Sequence, residues 1–382
     1  MKTKKLSEIS DIQYGYAFDS HYFTNDNKYP QLVRIRDIKR GFSETYYLGK
    51  YDEDYVVHYG DLLIGMDGNF NISRWKSEDA LLNQRVCKIA AKQDIIDEEY
   101  LQYALSRRLK HIEEKTAFVT VKHLSAKTLS NLKLEVPSQV EQIKIAQIIS
   151  KISKAINTKK DELRKLDELI KARFVEMFGN YPNNEKSWPV GKIKDLVLDV
   201  RYGTSKKATD GTSGKYPYLR MNNITYDGNL NLSDLKTIDL PLEDLEKYTV
   251  QKGDLLFNRT NSRDLVGKTC VYDLDKTMVL AGFIIRVRLD TTVANPVFVS
   301  KFLNTGYSKL LLRTICKNAS GQSNINAKEM QNIKIYVPPI SLQNEFANFV
   351  QQVDKSKFEN IVYLNKMLLM KILSQLGDVS RD

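Results

Sequence analysis

Cysteine is scarce in this 382-residue chain, and the three present, Cys87, Cys270 and Cys316, are scattered and odd in number. A disulfide framework is therefore not expected, and a reduced compartment is. Long apolar runs are missing too. The longest, MVLAGFII at 278–285, falls far short of the roughly 20 residues that a membrane helix needs. No apolar stretch follows the basic residues of MKTKKLSEISD, so no signal peptide is read. These absences predict a soluble cytoplasmic protein with no membrane partner.

Catalytic signatures are lacking in the same way. The histidines His21, His58, His111 and His123 have no partner four residues on and no nearby cysteine, so no metal site is expected. Gly65-Met-Asp-Gly68 is too short for a phosphate loop. NPVF at 295–298 approaches the Asn-Pro-Pro-Tyr/Phe motif of DNA methyltransferases. It lacks the second proline, though, and no glycine-rich cofactor loop precedes it. An asparagine cap followed by proline in the first helical turn accounts for it. Asp61 and Asp254 sit in Gly-Asp turns, with no Glu-x-Lys at nuclease spacing. Neither a catalytic residue nor a cofactor of its own is expected in this chain.

Positive charge is what the chain has in excess. Lys and Arg outnumber Asp and Glu by 58 to 47, and division at Gly179 leaves both halves basic, at +4 and +7. Such an excess attracts a polyanion through its phosphates.

The chain also repeats itself. AKTLSNLKLEVP at 126–137 returns as AKEMQNIKIYVP at 327–338, and extending the pair to Ala146 and Ala347 gives 8 identities in 21 positions. Earlier segments recur in order: KKLSEI with GKIKDL, Tyr14-Gly15 with Tyr202-Gly203, LVRIRDI with YLRMNNI, and GDLLI with GDLLF. Each half then offers a helix, one capped by Asp97 and one by Asn295 with Pro296. LKLEV and IKIYV alternate apolar with polar residues, which predicts half-buried strands that Pro137 and Pro338 stop.

Beyond each proline a long helix is predicted. The first carries a seam of Ile149, Ile152, Ile156, Leu163, Leu166, Ile170 and Met177 and stops at Gly179. The second carries Val350, Val353, Phe358, Ile361, Leu364, Leu368 and Ile372 and stops at Gly377. The expected fold class is α+β, with two similar α/β units, each followed by a long helix. The helices are expected to pair antiparallel as a coiled coil, giving an internal pseudo-twofold repeat. The boundaries fall at 1–137, 138–179, 180–338 and 339–382.

Between the matched elements lie loops with the chemistry of nucleic-acid contact. In the first half these are Arg34, Arg36, Lys39 and Arg40, then Asn69, Asn71, Ser73, Arg74, Trp75 and Lys76. In the second they are Lys206, Lys207, Arg220, Asn222 and Asn223, then Asn258, Arg259, Asn261, Ser262 and Arg263, with Gln322 and Asn324 in a further polar loop. Arginine forks match guanine in the major groove, and asparagine or glutamine matches adenine. The narrower candidate set for DNA binding is Arg34, Arg36, Lys39, Arg40, Asn69, Asn71, Arg74, Lys206, Lys207, Arg220, Asn222, Arg259, Asn261, Arg263, Gln322 and Asn324. Each loop taken alone is more often a solvated surface than a reader; recurrence at matched positions favours a reader.

The repeated line AKxxxNxKxxVP, the turn Val140-Glu141-Gln142 and a long helix ending Met-Phe-Gly resemble the specificity subunit of type I restriction-modification enzymes. The second copy departs from that pattern, reading Leu342-Gln343 and ending Gln-Leu-Gly. The resemblance implies a non-catalytic DNA-reading subunit with two target-recognition domains, each reading half of a bipartite, asymmetric site on double-stranded DNA. It implies that the helices set the spacer and dock two methylation (M) subunits. Those subunits would bring S-adenosylmethionine, and motor-nuclease restriction (R) subunits could join them. Two other readings stay open from the residues alone: a self-contained methyltransferase–nuclease fusion, and a repeat scaffold that binds no nucleic acid.

Overall fold

The computed structural model describes residues 2–68, 70–115, 123–209, 214–319 and 321–376. These form two compact units, one from the described residues of Met1–Thr158 and Leu364–Asp382, the other from Lys159–Tyr363. Among the described residues no helix is long and apolar enough to cross a membrane.

In the first unit, strand Lys2–Lys5 pairs antiparallel with Lys133–Val136, bringing the start of the chain onto the repeated line. Leu132 and Leu134 are buried while Lys133 is exposed, as the alternation predicts. An antiparallel sheet follows, in the order Ser10–Tyr14, Val86–Ala91, Leu62–Gly65, Ile72–Arg74. A second sheet joins Gln31–Val33 and Ala80–Leu82 in parallel, with shorter strands on either side. Helix Glu98–Lys115 starts where Asp97 accepts a hydrogen bond from the Tyr100 amide at 2.9 Å. Its Tyr100, Leu101 and Leu105 share a core with Leu62, Ile64, Cys87, Leu129 and Leu134.

The second unit repeats this plan. Val190–Lys192 pairs with Lys334–Tyr336, and the four-stranded sheet runs Val197–Tyr202, Ile284–Leu289, Leu255–Asn258, Thr269–Val271. The parallel pair recurs as Tyr216–Leu219 with Met278–Leu280. Gly15 and Gly203 mark one matched close approach: a Cβ would meet the carbonyl oxygen of Asn83 at 2.1 Å in one copy and that of Ala281 at 2.3 Å in the other. The repeated Tyr-Gly dipeptide is thus a packing requirement.

The first five residues of the repeated line take a form that strand alternation does not foresee. Ala126–Ser130 and Ala327–Gln331 are short helices, capped by Ser125 onto the Thr128 amide and by Asn326 onto the Glu329 amide. A local cap decides the conformation here before the strand begins.

The long helices are Gln139–Phe178 and Ile340–Leu376. At 40 residues the first spans about 60 Å. Within the second unit their segments run antiparallel. Phe178 and Phe174 each lie 5.4 Å from Phe346, Lys357 meets Asp167 at 2.7 Å, and Lys159 lies over Tyr363. The seam of the second helix is displaced from the one expected. Phe346, Val350, Val353 and Lys357 are buried, whereas Phe358, Ile361 and Leu368 are exposed. Lys357 takes the inner position because Asp167 and Asp354 both accept from its ammonium.

Candidate nucleic-acid interface

A turn follows the parallel strand in each unit, and a buried side chain shapes it. Asp37 accepts from the Arg34 amide at 3.1 Å; its counterpart Asn223 accepts from the Arg220 amide at 2.8 Å. Burial raises the Asp37 carboxyl above its usual range, against an opposing hydrogen bond from Ser43. The two arginines fold back onto their own loops. Arg34 donates to Thr45 and pairs with Asp37 at 3.8 Å, and Arg220 donates to Asp234 at 2.7 Å.

Past that turn, Arg36, Lys39 and Arg40 are exposed, with Arg40 lying 5.6 Å from the ring of exposed Phe42. This loop meets the 70–79 segment where the Lys76 amide donates to the Gly41 carbonyl. Two of the sequence-read clusters therefore come together. Arg74 points away from them, held at 2.9 Å by both Glu98 and Glu99. Trp75 is buried and donates to the Glu78 carbonyl, so it is core. Asn71 is half-buried, its carbonyl accepting from the Gly65 amide. Asn69 lies outside the described residues.

In the second unit, strand Thr260–Asn261 pairs with Gln322–Asn324, which pairs with Lys317–Ala319. This small sheet collects Arg259, Asn261, Gln322 and Asn324, which the sequence holds some sixty residues apart. The Arg259 guanidinium lies 4.8 Å above the Tyr202 ring and donates to Asn324 Oδ1 at 3.2 Å. Asn324 in turn donates to Thr260 Oγ1 at 2.8 Å. Asn261 donates to buried Asn258, and Gln322 and Arg263 are exposed. Lys206 and Lys207 are also exposed, on a segment tied to strand Tyr216–Leu219 by the Tyr218 hydroxyl. Asn222 is exposed in the turn beside Arg220, which buried Lys268 anchors by donating to the Met221 carbonyl.

Sequence reasoning passes over four neighbours of these loops. Tyr202 supports Arg259, and the repeated Tyr-Gly dipeptide is the signal that could have found it. In the first unit Asp67 contacts His123 at 2.5 Å and Arg85 at 3.5 Å, at the position that Thr260 and Asn324 fill in the second, and buried Met66 stands where the second has Arg259. No sequence spacing joins Asp67, His123 and Arg85. NPVF, by contrast, is a helix start. Asn295 Oδ1 accepts from the Val297 amide, leaving its side chain engaged in the fold.

The repeated proline-to-helix turn has its own buried anchor. Gln142 Nε2 donates to the Ile95 and Pro137 carbonyls, and its Oε1 accepts from the Asp97 amide. Gln343 makes the same three bonds to Val293, Pro338 and Asn295.

Comparison with known proteins agrees with this duplicated frame. The model of the family described as "Type I restriction modification DNA specificity domain" matches twice, over residues 1–168 and 185–366. The chain belongs to this family. Its contribution is DNA specificity within a type I restriction-modification system, and not catalysis. Among curated relatives, the EcoBI specificity subunit of Escherichia coli is 28% identical, covering 91% of this chain and 78% of that one. The MjaVIII specificity subunit of Methanocaldococcus jannaschii is 23% identical over 79% of this chain and 74% of its own. Among solved structures, the type I restriction-modification S subunit from M. genitalium shares the fold, with a TM-score of 0.59 at 14% identity, covering 98% of this chain and 94% of that chain.

Proposed function

We propose that each unit reads one half of a bipartite, asymmetric site on double-stranded DNA, acting as a target-recognition domain at 1–137 and at 180–338. The long helices, at 138–179 and 339–382, set the unread spacer and dock two methylation subunits. Those subunits supply S-adenosylmethionine, restriction subunits can join them, and the assembly works in the cytoplasm. The observation that carries this reading is one frame built twice with different loop chemistry. At one matched bridge the second copy has Thr260 with Asn324, to which Arg259 donates from its stack on Tyr202, and the first has Asp67 with His123 and Arg85. Like frames with unlike loops suit readers of unlike half-sites.

Within that reading the side chains divide by their exposure. Exposed Arg36, Lys39, Arg40, Lys206, Lys207 and Arg263 suit phosphates, although Arg36, Arg40 and Lys206 also face Asp37, Glu44 and Asp244. Arg259, Asn261, Gln322 and Asn324, together with Asn69, Asn71 and Asn222, suit base edges. Arg34, Arg74 and Arg220 are engaged by their own loops and hold the readers in shape. A gel shift with duplex DNA and the methylation subunits tests this. Salt-sensitive, sequence-selective binding is expected, and a complex that binds no duplex would end the reading.

A further inference from the structure

The second unit contains a cavity of about 470 Å³ that the DNA reading does not use. It lies where the first long helix ends, between Phe174, the turn through Tyr181, the Tyr226–Asp227 loop and the corner joining helices Pro296–Leu303 and Gly306–Ile315. That volume is within the range of small-ligand sites.

Its charges do not cancel. Both carboxylates on the wall have a partner: Asp167 shares Lys357 with Asp354, at 2.7 Å and 2.9 Å from the ammonium, and Asp227 faces Lys171 at 3.9 Å. Lys301 and Lys309 are left over. Among the described residues Lys301 has no carboxylate at ion-pair distance and no hydrogen-bond acceptor. Lys309 donates only to the Tyr226 carbonyl, at 2.8 Å, with its ammonium 3.2 Å from the centre of that ring. Burial lowers both amines from the usual lysine range, Lys309 to about 8, and outweighs the opposing pull of nearby carboxylates, Asp354 first for Lys301 and Asp227 for Lys309. Asn304, also on the wall, has a buried Oδ1 with no donor, while its Nδ2 is fixed on the Thr269 and Ser300 carbonyls.

We propose that this cavity binds a nucleoside monophosphate, its phosphate held by Lys301 and Lys309 and its base lying among Tyr181, Tyr226 and Tyr307. Lys301 and Lys309, neither of which has a carboxylate at ion-pair distance among the described residues, offer two ammonium groups to a phosphomonoester, close to −2 at neutral pH. A triphosphate would bring more negative charge than the wall can meet. Aromatic faces accept any base by stacking.

Calorimetric titration of the full chain with AMP tests the proposal, with adenosine and inorganic phosphate as separate arms. The expected result is saturable AMP binding that weakens at least tenfold in Lys301→Met and in Lys309→Met, each melting within a few degrees of wild type. Adenosine and phosphate should each bind at least tenfold more weakly than AMP. Absence of AMP binding at millimolar concentration would overturn it, as would equal binding by both methionine variants. Phosphate binding as tightly as AMP would reduce the site to an anion hole and reject the nucleotide. Displacement of AMP by duplex DNA would assign the cavity to the DNA surface and reject a separate site.

Discussion

Gln343 accepts a hydrogen bond from the Asn295 amide at 2.9 Å, tying the start of the second long helix to the cap of helix Pro296–Leu303. Gln142 makes the matching bond to Asp97 at 2.7 Å. Both glutamines are fully buried, so each side chain meets three backbone groups that would otherwise have no partner. Gln343→Leu should cost about 1–3 kcal/mol for each group left unpaired, read as a fall in the urea midpoint at unchanged slope. A change below roughly 0.5 kcal/mol would show that the staple contributes little.

Base and phosphate contacts should separate by mutation. Arg259→Ala should relax selectivity in one half-site only, at about 1–3 kcal/mol, because its guanidinium is held in one pose by Tyr202 and Asn324. Arg36→Ala should weaken all sequences alike and reduce the salt slope by about 1. Arg74→Ala, whose charge faces Glu98 and Glu99, should leave selectivity as it is. Competitive gel shifts against a library of half-site variants distinguish these outcomes; Arg259→Ala weakening every sequence equally would assign that residue to a phosphate.

A buried charge cluster should govern acid stability of the second unit. Arg286 is almost fully buried and donates to Asp199 at 2.7 Å, while Arg288 donates to Asp254 at 2.9 Å. Burial alone would raise the Asp199 carboxyl, but hydrogen bonds from Arg286 and Arg201 outweigh it and hold it below its usual 3.8. A lowered carboxyl stabilises the fold above its unfolded value, and that contribution is lost as pH falls through the folded value. Asp199→Asn should therefore lower the melting temperature at pH 7 and narrow its gap to wild type below pH 3.8. A gap that stays constant with pH would contradict the assignment.

The displaced seam gives a different sign. Lys357 is buried between Asp167 and Asp354, both of them partly exposed. Hydrogen bonds that its ammonium donates to those carboxylates raise its pKa despite the opposing effect of burial. Replacement by Met removes the desolvated cation and leaves two hydrated acids, so stability should stay within about 1 kcal/mol of wild type. Thermal melts of Lys357→Met at neutral pH check this, and a loss above roughly 3 kcal/mol would mean the ion pair holds the helices together.

The frame was legible because its signals are local. Asp97 and Asn295 announce helices by capping, Pro137 and Pro338 end strands, and the alternation of LKLEV reports burial directly, whereas in IKIYV the outward position, Tyr336, is buried against Phe302. Recurrence made these signals stronger, since each appears in two copies. What stayed hidden depends on partners distant in sequence. Nothing near Arg74 marks it as the partner of Glu98 and Glu99, and Phe358 reads as a better seam residue than Lys357 until Asp167 is brought alongside. Likewise the loop at 259–263 and the loop at 322–324 each read as polar surface. Only strand pairing joins them into a platform, with Tyr202 supplying its aromatic floor.

The most direct measurement is the methylome of a host expressing this chain with its methylation subunits. The account expects one new modified motif made of two different half-sites separated by an unspecified spacer. It also expects that exchanging the loop residues of one unit changes only one half of that motif. A single contiguous motif, or methylation that does not change when the loops of either unit are exchanged, would contradict it.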